Sequence, residues 1–139
     1  MRVLLADDQD QVRSALRLVI DQESDFKVVE EVADPEQLLV SIDEYQPDIL
    51  LLDWELLPSE RKATLKSLAM KYPKLYVIAM SVCIMSQKEA IAAGAKAFVC
   101  KVDPADTFIT SIRNLANQKK LEIQSVREEL RTDGLYDTE

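Results

Sequence analysis

Five residues with ligating or reactive side chains each follow a short apolar run. Asp7 and Asp8 follow the first of these runs, Asp53 the second, Ser81 the third and Lys101 the fourth. A single polar residue after a strand often only meets solvent, but such residues after four separate runs are better explained by one shared site. Carboxylates, a hydroxyl and an amine could together bind a cation and transfer a phosphoryl group.

The charges of these residues indicate which chemistry they could perform. If the runs that precede Asp7 and Asp53 are neighbouring strands, the three carboxylates lie within several ångströms and raise one another's pKa. A hard divalent cation removes this repulsion, and so few protein carboxylates favour Mg²⁺ over Ca²⁺. Asp53 would then be the nucleophile, Lys101 would neutralise the transferred oxygens, and Ser81 would hydrogen-bond the attached group.

The apolar runs have the length and composition of strands in a buried sheet. Residues 3–6, 49–52, 77–80 and 97–100 are continuously apolar, as expected for strands that are buried on both faces. Residues 27–32 are more polar, which is typical of an edge strand.

Helix signals alternate with these predicted strands. Asp34-Pro35 has the pattern of an N-cap and first helical residue, Asp103-Pro104 repeats it before the last helix, and Gly94 has the position of a C-cap. Five successive βα units predict an α/β fold. We expect a three-layer, doubly wound (βα)5 domain with a parallel five-stranded sheet and helices on both faces.

Composition excludes several kinds of function. The chain has no histidine, so it has no Ser-His-Asp triad and no ordinary histidine zinc site. A formal net charge of −8 makes this domain a poor partner for nucleic acid. We find no apolar run long enough to span a membrane and no signal peptide, and therefore expect a cytoplasmic protein. Cys83 and Cys100 lack a CxxC spacing and are predicted to be buried free thiols.

The sequence resembles the receiver domains of two-component signalling over residues 1–118. The resemblance rests on Asp7, Asp8, Asp53-Trp54, Ser81, Phe98 and Lys101, in this order and at about the family's separations. It implies the flavodoxin-like strand order 2-1-3-4-5 and a Mg²⁺ cofactor. It also implies a phosphorylation-dependent switch rather than a turnover enzyme, with a histidine kinase or a small phosphodonor as the source of the phosphoryl group.

The resemblance further implies a role for each acidic residue of the site. Asp53 matches the phosphoacceptor, Asp8 the direct Mg²⁺ ligand, and Asp7 the acid that holds the metal through water. The backbone carbonyl of Glu55 would complete the protein ligands.

The remaining matched residues would sense and relay the phosphorylation. Ser81 matches the phosphoryl-sensing hydroxyl, Lys101 the family's lysine, and Phe98 the aromatic residue that swings inward on activation. The face formed by the fourth helix, the fifth strand and the last helix would carry the change to an output.

The sequence departs from the usual receiver pattern at four places. Pro58 lies five positions after the acceptor, where four is common, and Glu55 adds an acid that is either a solvated loop residue or a competitor for metal and phosphodonor. Val82 is bulkier than the usual residue after the hydroxyl, which predicts slow autodephosphorylation. The segment from Ser81 to Lys101 is about two residues shorter than in most receivers, so output contacts of relatives do not transfer directly.

A heptad-like pattern continues beyond the minimal receiver. We expect residues 1–118 to form the receiver and residues 119–139 a helical extension with a frayed tail. The extension either simply continues the last helix or forms a short coiled-coil seam, which makes it a second candidate surface for a homodimer besides the output face. The chain is expected to be either a stand-alone regulator or a receiver that lacks its output domain, which would then be a partner. The seam residues are Ala116, Lys119, Ile123, Val126 and Leu130.

Two other functions are compatible with parts of the pattern. A pseudo-receiver would use the same fold for interaction or dimerisation without a phosphorylation cycle, and Glu55 and the short segment before Lys101 favour it. An Asp-nucleophile phosphohydrolase of the haloacid dehalogenase type needs a second Asp two residues after the nucleophile, but Glu55 occupies that position.

Overall fold

The computed structural model describes residues 1–132 of the chain, which form five strands and five helices. The strands are β1 (Arg2–Ala6), β2 (Lys27–Val32), β3 (Ile49–Asp53), β4 (Tyr76–Ser81) and β5 (Ala97–Cys100). The helices are α1 (Asp10–Asp21), α2 (Pro35–Tyr45), α3 (Arg61–Lys71), α4 (Ser86–Ala93) and α5 (Ala105–Thr132). A single 3-10 turn, Trp54–Leu56, follows β3.

All five strands pair in parallel, in the order β2-β1-β3-β4-β5. This confirms the predicted α/β class and the flavodoxin-like strand order. The more polar β2 lies at one edge, as its composition indicated, and β5 lies at the other. Strand order reverses at β1 and β3, so the carboxyl ends of these two central strands border the crevice where ligands bind in open α/β sheets.

Each central strand supplies side chains to two separate cores. Leu4 and Leu50 pack into the cluster beneath α2, α3 and α4, while Leu5 and Leu51 pack into the cluster beneath α1 and α5. Successive side chains of a strand point to opposite faces of the sheet. Both faces are covered, and this is why the central strands are continuously apolar.

Local signals define most of the helix ends. The Asp34 carboxylate accepts a hydrogen bond from the Gln37 amide at 2.9 Å, so the predicted N-cap of α2 is confirmed. Gly94 ends α4 with a φ of 122°, as predicted for a C-cap. Asp103 and Pro104 were predicted to be the N-cap and the first residue of α5, but the helix begins one residue later, at Ala105. The Pro104 carbonyl accepts a hydrogen bond from the amide of Thr107.

The β4–α4 loop corrects one expectation. Cys83 and Cys100 are both unpaired, but Cys83 is exposed and Cys100 is only partly buried. The chain leaves the sheet after Ser81, so Val82 and Ile84 are also exposed although their side chains are apolar. In this loop, the apolar composition after the strand therefore does not mark burial.

The last helix continues past the receiver body. Residues 121–129 of α5 are exposed, whereas Lys119 is buried and donates a hydrogen bond to the carbonyl of Lys74. We predicted a helical extension with a frayed tail over residues 119–139, and residues 133–139 of it lie outside the described residues. Within residues 1–132, no helix combines the length and apolar character that crossing a membrane would require.

Candidate functional site

The fold brings the predicted site residues to one edge of the sheet. Asp7 follows β1 and Asp53 ends β3, and these strands pair directly, with Ala6 opposite Leu52. Ser81 ends β4, the next strand along, and Lys101 follows β5. The amide of Lys101 donates to the carbonyl of Ser81 at 2.9 Å, which holds these two strand ends together.

Lys101 is the centre of this arrangement. Its Nζ lies 2.6 Å from Asp7 Oδ2 and 3.3 Å from Asp53 Oδ1, so one ammonium group bridges two carboxylates. Asp7 is fully buried and Asp53 is only 3% exposed. Two buried carboxylates therefore share one cationic partner.

The shared partner leaves Asp53 incompletely compensated. Burial is the largest cause that raises the pKa of Asp53 to about 6, and a hydrogen bond with Glu55 and the charge of Asp7 raise it further. Lys101 acts in the opposite direction but does not cancel these effects. Burial also opposes the charge of Lys101, yet the hydrogen bond to Asp7 and the two carboxylate charges outweigh it and raise the pKa of Lys101.

The acids have the geometry of a site for a hard cation. Asp7, Asp8 and Asp53 each offer one carboxylate oxygen, and these three oxygens all lie within 4.8 Å of one another. Asp8 is exposed, so the group opens to solvent on its side. An all-oxygen donor set that is open to water fits Mg²⁺, which keeps several waters when proteins bind it. The residues present therefore fit the cation that the sequence predicts.

Glu55 takes a position that the sequence did not predict. The 3-10 turn after β3 folds the chain back, and the Glu55 amide donates to Asp53 Oδ1 at 3.1 Å. The hydroxyl of Ser81 donates to Glu55 Oε1 at 2.5 Å. Burial raises the pKa of Glu55, but the hydrogen bonds with Ser81 and Asp53 outweigh it and lower that pKa overall. The side chain is thus hydrogen-bonded to a residue of the site, although Glu55 itself is exposed to solvent.

Arg13 supports the site from α1 and was missed from the sequence. Its guanidinium donates to the backbone carbonyl of Asp7 and also pairs with Asp10 and with Glu31, where Nε lies 3.3 Å from Oε1. These contacts hold the chain segment that carries Asp7. In the sequence, Arg13 is marked only by its position one helical turn after Asp10, the first residue of α1. Such pairs of charged residues are too common at helix starts to identify a functional residue.

Phe98 lies on β5, three residues before Lys101. It is partly buried and packs against the core cluster beneath α2, α3 and α4. The site therefore gathers Asp7, Asp8, Asp53, Ser81, Lys101 and the side chain of Glu55, while Phe98 packs into the sheet face beside it.

The family profile described as the response regulator receiver domain matches residues 3–113. This chain belongs to that family. The receiver assignment agrees with the strand order and with the acids at the carboxyl ends of β1 and β3.

Among curated proteins, this receiver is similar to the oxygen regulatory protein NreC of Staphylococcus aureus. The two are 26% identical over 120 residues, which cover 83% of this chain and 54% of NreC. The chain thus spans about half the length of the curated relatives it matches.

Solved structures of similar fold include other response regulators. A two-component response regulator of the LuxR family from Aurantimonas matches with a TM-score of 0.73 and 22% identity, covering 82% of this chain and 83% of that chain. The CheX–CheY–BeF3–Mg²⁺ complex from Borrelia burgdorferi matches with a TM-score of 0.74 and 20% identity, covering 83% and 88%. At these identities the likeness shows the receiver fold alone.

Proposed function

We propose that this receiver is a cytoplasmic, phosphorylation-dependent signalling switch whose phosphoacceptor is Asp53. The observation that carries the proposal is the Lys101 ammonium held between the carboxylates of Asp7 and Asp53. In that position it can neutralise charge that arrives on an oxygen of Asp53. An ion pair with only a structural role would not need three acids and a hydroxyl around it.

The proposed reaction is transfer of a phosphoryl group from the phosphohistidine of a histidine kinase. A carboxylate oxygen of Asp53 attacks phosphorus, the phosphorus–nitrogen bond breaks, and the electron pair of that bond leaves with the imidazole. Lys101, which stays protonated, stabilises the transferred oxygens. Since the pKa of Asp53 is about 6, the nucleophile is ionised at neutral pH even before a cation binds.

We further propose that Asp7, Asp8, Asp53 and the backbone carbonyl of Glu55 hold Mg²⁺. The cation would neutralise charge on the transferred group and on the acids that surround it. The close approach of the three carboxylate oxygens supports this ligand set. A receiver of similar fold, CheY of Borrelia burgdorferi, forms a complex that includes Mg²⁺ and BeF3.

Phosphorylation would be read by Ser81 and relayed through Phe98 to the face formed by α4, β5 and α5. Ser81 supports this role because its hydroxyl already lies at the site and its oxygen also accepts from the amide of Cys83 at 3.0 Å. The partners that we propose are a histidine kinase, an output domain and a second copy of the chain. The greater length of NreC supports an output domain in addition to the receiver.

A pseudo-receiver is the second candidate, and one observation favours it. The hydroxyl of Ser81 is already engaged by Glu55, so the position of a sensed phosphoryl group has an occupant. In that case the domain would function by binding partners or a second copy through its surface, and Asp53 would not be phosphorylated.

Intact-mass measurement separates the two candidates. The protein is incubated with Mg²⁺ and acetyl phosphate or phosphoramidate, and we expect a gain of one phosphoryl mass. The gain should be absent in Asp53→Asn and retained in Asp21→Asn, a control that removes an exposed acid at the end of α1. No gain in the wild-type protein, or a gain that survives Asp53→Asn, would contradict the proposal.

A further inference from the structure

The side chain of Glu55 contacts Ser81, the residue that would donate to a phosphoryl group on Asp53. The backbone amide of Glu55 donates to Asp53 Oδ1 at 3.1 Å, and its Oε1 accepts from the hydroxyl of Ser81 at 2.5 Å. Asp53 would carry the phosphoryl group, and Ser81 would donate to one of its oxygens. A carboxylate is a small anion with several acceptor sites, so it can satisfy the hydroxyl as a phosphoryl oxygen would.

The backbone conformation around Glu55 keeps its side chain close to Ser81. The amide of Glu55 is tied to Asp53 Oδ1 at 3.1 Å, and the buried ring of Trp54, 2% exposed, anchors the 3-10 turn. Glu55 itself is exposed as a residue, so its side chain can leave towards solvent without disturbing the core. The hydrogen bond between Ser81 and Glu55 is therefore favoured by the backbone, but it can break without a change in the core.

We propose that the carboxylate of Glu55 is a built-in occupant of the phosphoryl-sensing position, which holds Ser81 in the unphosphorylated protein and must leave when Asp53 is phosphorylated. This inference rests on the proposed function and adds a regulatory element to the same site. Each phosphorylation event then replaces one anion on Ser81 by another. Glu55 therefore disfavours the phosphorylated state, because its carboxylate competes with the phosphoryl group for the hydroxyl of Ser81.

The size of the effect follows from the bond that must be exchanged. A hydrogen bond to a charged acceptor corresponds to a factor of about ten or more in an equilibrium constant. We therefore expect Glu55→Ala to bind beryllofluoride, in the presence of Mg²⁺, about tenfold more tightly than the wild-type protein. Binding is followed by the fluorescence of Trp54, the only tryptophan of the chain and the neighbour of Asp53.

Two further variants separate occupancy from simple charge repulsion. Glu55→Gln keeps the length of the side chain and an oxygen that can accept from Ser81, so we expect it to gain clearly less than Glu55→Ala. Glu60→Gln removes an exposed acid from the same loop and should bind as the wild type does. If Glu55→Gln and Glu55→Ala gain equally, and the gain disappears at high salt, repulsion alone explains the effect and the inference is wrong.

A measurement on the metal-free protein tests the contact itself. The amide of Cys83 donates to the oxygen of Ser81, so its ¹⁵N–¹H resonance reports where the hydroxyl points. We expect this resonance to shift in Glu55→Ala and to return towards its wild-type position in Glu55→Gln. An unchanged Cys83 amide in Glu55→Ala would overturn the inference even if phosphorylation proceeds normally.

The outcomes also distinguish this inference from the proposed function. If the wild-type protein responds to beryllofluoride and Glu55→Ala has the same affinity, the switch stands and the occupancy of Ser81 by Glu55 has no role. If neither responds and acetyl phosphate adds no mass, the proposed function fails, and this inference fails with it.

Discussion

At the scale of single residues, the site is dominated by an imbalance of charge. Asp7 and Asp53 are both buried, yet Lys101 is the one cation that pairs with them within residues 1–132. An uncompensated buried carboxylate is costly, and proteins reduce that cost by protonation or by binding a cation. The cation that we propose for this site would relieve the same imbalance that weakens the metal-free fold.

The charge imbalance predicts how stability depends on pH. The pKa of Asp53 is about 6 in the folded protein and about 4 in an unfolded chain, so the unfolded state loses its proton first as the pH rises. The free energy of unfolding therefore falls between about pH 4 and pH 6 and stays lower above that range. Asp53→Asn lacks this ionisation and should be more stable than wild type at pH 8 without metal, by about 3 kcal/mol.

Urea unfolding in the presence of a chelator, at pH 4 and pH 8, measures this difference. The difference should shrink towards pH 4, where Asp53 is protonated in both states, and saturating Mg²⁺ should reverse it by stabilising only the wild-type protein. A difference that is independent of pH would show that ionisation of Asp53 is not its cause.

At the scale of elements, the sequence predicted what depends on local pattern. Strands buried on both faces need continuous apolar runs, and Asp34-Pro35 caps a helix by its own side chain, so both features are visible in the sequence. Because parallel strands end at one edge of the sheet, the meeting of Asp7, Asp53 and Lys101 also followed from the pattern once the strand order was assumed.

The features that were missed depend on contacts between distant segments. Glu55 follows β3 and Ser81 ends β4, and their hydrogen bond exists because a 3-10 turn directs the chain back across the site. No periodicity encodes that turn. Cys83 was predicted to be buried because its neighbours are apolar, but the β4–α4 loop leaves Cys83 and these neighbours exposed to solvent.

The β4–α4 loop carries a prediction about the lifetime of the phosphorylated state. Val82 directly follows Ser81 and is 64% exposed, so its side chain lies on the solvent side of the strand end. We propose that it obstructs the water that would hydrolyse an acyl phosphate on Asp53. We expect Val82→Ala to lose its phosphoryl group severalfold faster than the wild type, measured as decay of phosphorylated mass after removal of the phosphodonor.

Ile84→Ala, two residues further along the exposed loop, is the matched control and should lose the group at the wild-type rate. An unchanged decay in Val82→Ala would contradict the role of Val82.

At the scale of the whole molecule, the first part of α5 packs against the core and its later part is exposed to solvent. The buried face of its first part contains Phe108, Ile112 and Leu115, and helical spacing continues this stripe through Ile123 and Val126. Ile123 and Val126 are exposed, 45% and 55%, so the described part of the chain covers them only partly. Two of the predicted seam residues, Ala116 and Lys119, are buried in the receiver body and cannot face a second copy, so that part of the prediction is wrong. The outer part of the seam remains a prediction, and copies that each carry a charge of −8 would repel one another at low salt.

The division at residue 118 can be tested by truncation. Lys119 is buried, its Nζ lies 4.5 Å from the centre of the Tyr76 ring, and it donates to the carbonyl of Lys74, so it still belongs to the receiver body. A chain that ends at residue 118 should lose about 1–2 kcal/mol of unfolding free energy through these contacts. A chain that ends at residue 122 should unfold as the full chain does, because residues 121–129 are exposed.

Urea unfolding of the three chains at two protein concentrations measures these differences and also tests the seam. If residues 123–132 only continue the helix, the full chain and the chain that ends at residue 122 should have the same midpoint at both concentrations. If the exposed stripe pairs with a second copy, only the full chain should gain stability as the protein concentration rises, and more so at high salt, where the repulsion between the acidic copies is screened. Equal stability of the chains that end at residues 118 and 122 would show instead that Lys119 contributes nothing, and that the receiver body is complete without it.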